Sequence, residues 1–192
     1  PSFAGHASLA GFSDIVIATR GSAIGMGGPP MVEAALGLTL TPQELAGVEM
    51  HERTGGIDLL ADDEPSAIEF AKRYLEFLWD QPEGQPDRSA KNIADFISES
   101  GPYDVYPLIQ ALVDAHSMLE LRPNFATSVV TVLARLDGRS VGVIANNPAV
   151  NSGAISESAA TKIGRFVELC DSYEYPIISL IDSPYTTIET EA

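Results

Sequence analysis

The 192 residues are enough for one ordinary domain or for pieces of two, and 45% of them are apolar, which supports a real core and argues against global disorder. The formal net charge of −16 argues against a nucleic-acid partner, because phosphate recognition needs clustered Lys and Arg. No apolar run approaches the ~20 residues of a membrane-crossing helix, and the single cysteine, Cys170, rules out an internal disulfide and fits a reducing compartment, the cytoplasm or the mitochondrial matrix.

The chain opens at Pro1, without Met, directly in an ordered-looking motif, and reads as an internal piece of a longer polypeptide. Residues 1–14 set small side chains ahead of an apolar, β-branched strand over 15–19. A Gly/Ala turn there can hold bare backbone N–H groups towards a ligand and stabilise a developing negative oxygen. Most such turns serve only close packing, so the motif carries little alone. The Gly-rich stretch 21–30 follows. It is neither a dinucleotide fingerprint nor a phosphate loop, and no basic side chain completes it. Pro30 opens a helix that Gly37 stops. Thr41, Pro42 and Glu44 spell a capping box for a helix that ends near His51 and Arg53, whose positive charge suits a helix C-terminus. An amphipathic helix is expected over 65–79, with Ile68, Ala71, Leu75 and Leu78 on one face and Glu69, Lys72, Arg73 and Glu76 towards water. Lys72 and Arg73 could meet a phosphate, but a solvated face is the plainer reading.

Residues 80–86 carry two prolines and a glycine and break all periodicity, so the boundary between two halves falls within 80–102. The organisation expected is residues 1–80 as one part, 81–102 as a linker with a short helix over 88–101, and 103–192 as a second part. In that second part a helix is expected over 104–116 with Ile109, Leu112 and Val113 inward. A strand over 129–135 turns at Asp137-Gly138, a hairpin signal whose loop, with Leu136 beside it, is two residues or longer, into a strand over 140–145. A helix over 156–173, with Ile163, Phe166, Val167 and Cys170 on one face, leads to a buried strand over 176–182. Strand, helix, strand is a βαβ unit with parallel strands, and it places Asp182 at a carboxyl end, where α/β sheets tend to hold ligands. Cys170 reads as a small buried hydrophobe, and no His or Cys pair has metal-ligand spacing.

Taken in order, these motifs resemble the carboxyltransferase (beta) subunit of biotin-dependent acyl-CoA carboxylases, in the crotonase-like superfamily. The family's Gly-Gly-Ala motif is matched by Ala4-Gly5-His6-Ala7 leading to Ser13-Asp14, and its Gly-Pro pair by Gly28-Pro29. Its capped helix followed by His and Gly is matched by Thr41 to Gly47, His51 and Gly55. Further on, Pro102-Tyr103-Asp104-Val105, Leu119-Glu120-Leu121-Arg122-Pro123, the hairpin from Ala134 to Asn146-Asn147-Pro148, Lys162, Arg165-Phe166, and Pro176 to Pro184 match in turn. The chain departs from the pattern at Tyr185, where the family has Gly, and in the tail 186–192.

The resemblance implies an α/β, crotonase-like (ClpP/crotonase) ββα superhelix, with parts of two related domains: the end of an N-terminal carboxyltransferase domain and the start of a C-terminal one. It implies transfer of CO2 from carboxybiotin to the α-carbon of an acyl-CoA through an enolate. The N–H groups of Ala4 and Gly5 would hold the enolate oxygen, with His6 beside them narrowing the site. Gly27 and Gly28 would line the coenzyme A side, and Asn146, Asn147 and Pro148 would shape the biotin route. The implied partners are a biotin carboxylase, a biotin carboxyl carrier protein or domain, and further copies of the chain in a homo-oligomer. The biotin nitrogen takes the α-proton in such chemistry, so no catalytic base is required, and His6 as a base is the lesser reading. Two other readings stand beside this one: a different crotonase-fold acyl-CoA enzyme such as a decarboxylase, and a non-catalytic scaffold subunit.

Overall fold

The computed structural model describes residues 1–79, 96–97 and 101–187. The linker expected over 81–102 and its short helix fall almost wholly outside the described residues. The chain divides into two compact units, Pro1–Lys72 and a second from Arg73 onward, so the division runs through a helix.

The first unit alternates short strands and helices: β1 (Ser2–Phe3), α1 (Gly5–Gly11), β2 (Ile17–Thr19), β3 (Ile24–Gly25), α2 (Pro29–Leu36), α3 (Pro42–Ala46), α4 (Val48–Thr54), β4 (Leu59–Ala61) and the start of α5 (Glu64–Glu76). Strand β1 pairs in parallel with β3, and β2 in parallel with β4. Ala18, Val48 and Ile57 form the buried centre, packed by Val16, Ile24 and Leu60. The capping box is present: Thr41 Oγ1 accepts from the Glu44 amide at 3.2 Å, and Glu44 Oε2 accepts from the Thr41 amide at 2.8 Å. The single helix expected after Thr41 is two helices. Gly47 breaks it in extended backbone, where an added Cβ would stand 2.6 Å from the Gln43 carbonyl. His51 does more than end a helix. Its Nε2 donates to the Ile24 carbonyl at 2.6 Å, which ties α4 to β3.

The second unit takes the end of α5, then α6 (Tyr106–Leu112), β5 (Leu119–Glu120), β6 (Val129–Leu136), β7 (Arg139–Asn146), α7 (Glu157–Ser172) and β8 (Ile177–Leu180). Its sheet has the order β5-β6-β7-β8, antiparallel except for the parallel pair β7-β8 that α7 connects. Both faces of β6 are buried, so its apolar residues do not alternate with solvent-facing ones, and the two polar residues among them, Thr131 and Arg135, are buried as well. Val130, Val132 and Ala134 of β6, with Val141, Val143 and Ala145 of β7, pack against Val105, Leu108, Ile109 and Val113. Helix α7 approaches β7 at Gly142, where any side chain would collide: a Cβ there would lie 2.6 Å from Cys170 Sγ. Burial pushes the Cys170 thiol up to about 11, which keeps it inert.

Several expectations need correction. Of the face expected over 65–79, Ile68, Leu75 and Leu78 are exposed, and the buried residues are Tyr74 of α5 and Phe77 in the turn after it. Tyr74 meets Tyr173 edge to face at 6.4 Å, and the Arg135 guanidinium lies 5.5 Å from the Phe77 ring centre. Each aromatic ring buries a large apolar face and gains a directional ring or cation contact besides. Helix α6 is shorter than 104–116, because Asp114 turns out of it to brace the hairpin. The hairpin loop is two residues long, with Asp137 and Gly138 both at positive φ (52° and 78°), the geometry that matches strand twist. On α7, Val167 is exposed and Lys162 is buried in its stead. Strand β8 is an edge strand with exposed Ile177, not a fully buried one. No described helix is long and apolar enough to cross a membrane.

Candidate active site

The amino-terminal turn is built by the parallel pairing of β1 with β3. Ser2 donates to the Ala23 carbonyl at 2.7 Å, and the Ala4 amide donates to the Gly25 carbonyl at 3.1 Å. The Ala4 amide is therefore engaged in the sheet, and its expected role as an oxyanion donor is corrected. The next amides lie outside the sheet pairing. Gly5, His6 and Ala7 form the first turn of α1, ahead of any carbonyl the helix can offer them, and the first helical bond runs from Ser8 to the Ala4 carbonyl at 3.0 Å. Ala4 adopts φ 52°, ψ −119°, a glycine-like conformation that strains an alanine by about 1–3 kcal/mol. That strain turns the chain sharply from β1 into α1 and leaves Gly5 and His6 exposed. An added Cβ at Gly5 meets nothing within 4 Å, so there is room over the turn.

The glycines expected to line the substrate side lie beside this turn. Gly28 caps α2, its carbonyl accepting from Met31 at 3.0 Å and Val32 at 3.2 Å. Its Cα packs under Phe3, the residue before Ala4, since a Cβ there would lie 3.8 Å from the ring. Gly27 stands against Met31, and Ser8 of α1 reaches Met26 Sδ at 3.9 Å. The first unit thus gathers Gly5, His6, Gly27 and Gly28 around one exposed corner.

Asn146, Asn147 and Pro148 belong to the second unit and are buried there. Asn146 Nδ2 donates to the Gly153 carbonyl at 2.8 Å, and its Oδ1 accepts from the Asp182 amide at 3.3 Å. Asn147 Oδ1 accepts from the Ala149 amide at 3.2 Å, and its own amide donates to the Ser128 carbonyl at 2.8 Å. Both side chains therefore shape the loop after β7, Asn146 through both its polar atoms and Asn147 through its Oδ1. Gly153 makes that joint: φ is 72°, and a Cβ would stand 2.5 Å from the Asp182 carbonyl. Tyr103, named from the sequence only as part of a motif, donates to Asp182 Oδ2 at 2.8 Å, and burial together with that carboxylate pushes its hydroxyl up to about 12.

Lys162 was also missed as a buried charge. It is fully buried, and its Nζ donates to the carbonyls of Phe125 at 2.9 Å and Val129 at 2.8 Å. Its place on the stripe Ala159, Lys162, Phe166 was the available signal. Burial lowers its pKa from 10.5 to about 8, against the opposing pull of Glu120. Glu120 in turn is raised by burial and accepts from the Tyr106 hydroxyl at 2.8 Å. A neutral amine keeps two N–H donors, enough for both carbonyls. Between pH 8 and 10.5 the unfolded chain holds a proton on Lys162 that the folded chain has lost, so Lys162 makes stability rise with pH across that window. The expected gain is up to a few kcal/mol. Urea unfolding of the parent and of Lys162→Met at pH 7.5 and 10 will show the rise in the parent and its loss in the variant. Equal pH dependence in the two proteins contradicts the assignment.

The Carboxyl transferase domain family matches residues 1–186. The biotin-dependent acetyl-/propionyl-coenzyme A carboxylase beta6 subunit of Mycobacterium tuberculosis (strain ATCC 25618 / H37Rv) is 34% identical over 181 residues, covering 90% of this chain and 38% of that protein. Among solved structures, a single-chain, multi-domain long-chain acyl-CoA carboxylase superposes with TM-score 0.87 at 38% identity, over 97% of this chain and 19% of that one. Transcarboxylase 12S, a hexamer assembly solved with methylmalonyl-coenzyme A bound, superposes with TM-score 0.85 at 31% identity, over 97% and 39%. The chain spans between 33% and 40% of the length of the first curated relatives it matches.

Proposed function

Because the chain belongs to the carboxyl transferase domain family and has its crotonase-like fold, we propose that the protein containing it is the carboxyltransferase component of a biotin-dependent acyl-CoA carboxylase. The observation that carries this reading is the family match across residues 1–186, joined to a biotin-dependent relative at 34% identity. In this reading the residues up to about 80 close an N-terminal carboxyltransferase domain, and those from 103 open a C-terminal one. The work would be done in the cytoplasm or the mitochondrial matrix.

The chemistry assigned to the amino-terminal corner follows from its donors. Removing a proton α to a thioester puts negative charge on the thioester oxygen, and two fixed amides aimed at it lower that barrier. Gly5 and His6 supply such amides next to open space, and the strained Ala4 fixes their direction. Gly27 and Gly28 leave the neighbouring wall low enough for a coenzyme A thioester to lie along it. Bound carboxybiotin would supply the CO2 and the base for the α-proton, so this chain's part is to bind, orient and hold charge. Asn146, Asn147 and Pro148 act indirectly, by keeping the ends of β7 and β8 rigid near the biotin route. A biotin carboxylase and a biotinylated carrier are the matching partners, and assembly into a homo-oligomer follows the hexameric relative.

Full-length protein assayed with propionyl-CoA and carboxylated biotin carrier tests the reading. Biotin-dependent formation of methylmalonyl-CoA is expected. Loss of CO2 from methylmalonyl-CoA with no transfer to propionyl-CoA would make it a decarboxylase. No turnover of these thioesters, of acetyl-CoA or of a long-chain acyl-CoA by the intact assembly would make it a scaffold.

A further inference from the structure

The second unit carries an open groove of about 630 Å3, in the size range of small-molecule sites (about 300–1,000 Å3), and the proposed chemistry does not use it. It lies between the end of α5, the end of α6 and the turn into β5. This is the hairpin-loop end of β6, whereas Asn146 pairs with Val129 at the other end, roughly 20 Å away by strand rise. Its apolar wall is Val113 and Met118, and its polar lining is Arg73, Gln110 and His116.

Arg73 is held in place. Its Nη2 donates to the Met118 carbonyl at 2.6 Å, which engages one of the five donors of a guanidinium and fixes the fork. Among the described residues no carboxylate forms a salt bridge with it, in a chain whose net charge is −16. Asp114 also lines the groove, but its carboxylate faces the hairpin: Oδ1 accepts from the Asp137 amide at 3.1 Å and Oδ2 from the Gly138 amide at 2.8 Å. His116 takes part in the lining from left-handed backbone, φ 59°, a conformation that strains an L-residue. Glycine or asparagine would fill that turn position with less strain, so the turn itself does not call for an imidazole.

We propose that this groove binds a small organic anion, its oxyanion head on the Arg73 fork beside His116 and Gln110 and a short apolar body against Val113 and Met118. The planar fork suits a two-oxygen face, which phosphate esters and carboxylates share.

The test is titration of the purified protein with inorganic phosphate and with butyrate, each at constant ionic strength set with chloride, read by calorimetry and by the His116 imidazole NMR signal. Saturable one-to-one binding at millimolar concentration is expected for at least one probe. Arg73→Gln should weaken it at least tenfold, and Gln110→Glu, which sets a carboxylate beside the fork, should abolish it. Lys72→Gln should leave it unchanged, because Lys72 is exposed and paired with Glu69 at 2.7 Å. Tighter binding of butyrate marks the carboxylate source, and tighter binding of phosphate the phosphate source. If Arg73→Gln lowers the melting temperature, the affinity of Gln110→Glu decides. Absence of saturation with both probes, or equal affinity in Gln110→Glu, overturns the proposal.

Discussion

Arg135→Ala will destabilise the second unit by about 3–5 kcal/mol, read as a fall in the urea midpoint with the slope unchanged. The reason lies at the end of α5. The last carbonyls of a helix have no partner inside it. Here the carbonyl of Glu76, the last residue of α5, and those of Phe77 and Trp79 in the turn after it are taken by three side chains from the second unit. Arg135 donates to the carbonyls of Glu76 and, at 3.0 Å, Trp79, while Ser140 and Tyr175 donate to the Phe77 carbonyl at 2.7 and 2.9 Å. Arg135 also donates to the Gly138 carbonyl at 2.8 Å and lies over the Phe77 ring. It is only 7% exposed, so truncation takes the donor from the buried Gly138 carbonyl and from the part-buried carbonyls of Glu76 and Trp79, and the favourable charge at the helix end goes with it. Arg135→Met separates packing from donation. It keeps the stem volume and should recover less than half of the loss. A loss under about 1 kcal/mol in Arg135→Ala would show that water replaces the guanidinium and that the helix end is not held this way.

The same residue shows what a sequence can and cannot disclose. The hairpin around Asp137-Gly138, the capping box at Thr41 and Glu44, and the parallel unit of β7, α7 and β8 were legible, because each rests on contacts a few residues apart or on hydrophobic period. The collinear order of the motifs also identified the family. The inward face over 65–79 was not legible. Tyr74 and Phe77 win burial from Tyr173, Ser140 and Arg135, about 60 to 100 positions away, and nothing local ranks them above Ile68 and Leu75. Lys162 sat on the apolar stripe of α7 in plain view. Only the carbonyls of Phe125 and Val129, which converge on it, explain how a lysine can be there. The site behaved likewise. Small residues at 4 to 7 announced a tight turn, but the pairing of Ala4 with Gly25 decides which amides remain for a ligand. A spacing argument is blind to that, since it counts donors without knowing which ones a strand 21 residues away has taken up.

That shift by one residue sets up the largest functional effect. His6→Pro in the full-length protein should lower kcat/KM for acyl-CoA carboxylation by about 100- to 1,000-fold, the usual consequence of deleting one oxyanion donor. The substitution removes the backbone N–H together with the imidazole, and the backbone can accept it. Prolines are accepted in the first turn of a helix, and this fold already begins α2 with Pro29-Pro30. The residue before the new proline would be Gly5, the type least restricted by that neighbour. His6→Ala is the matched control: it deletes the imidazole and keeps the amide, and should change kcat/KM by no more than about threefold if the backbone carries the chemistry. A large loss in both variants would transfer the role to the imidazole, with a pH profile to match. Full activity in His6→Pro, with an unchanged melting temperature, would remove this turn from the reaction.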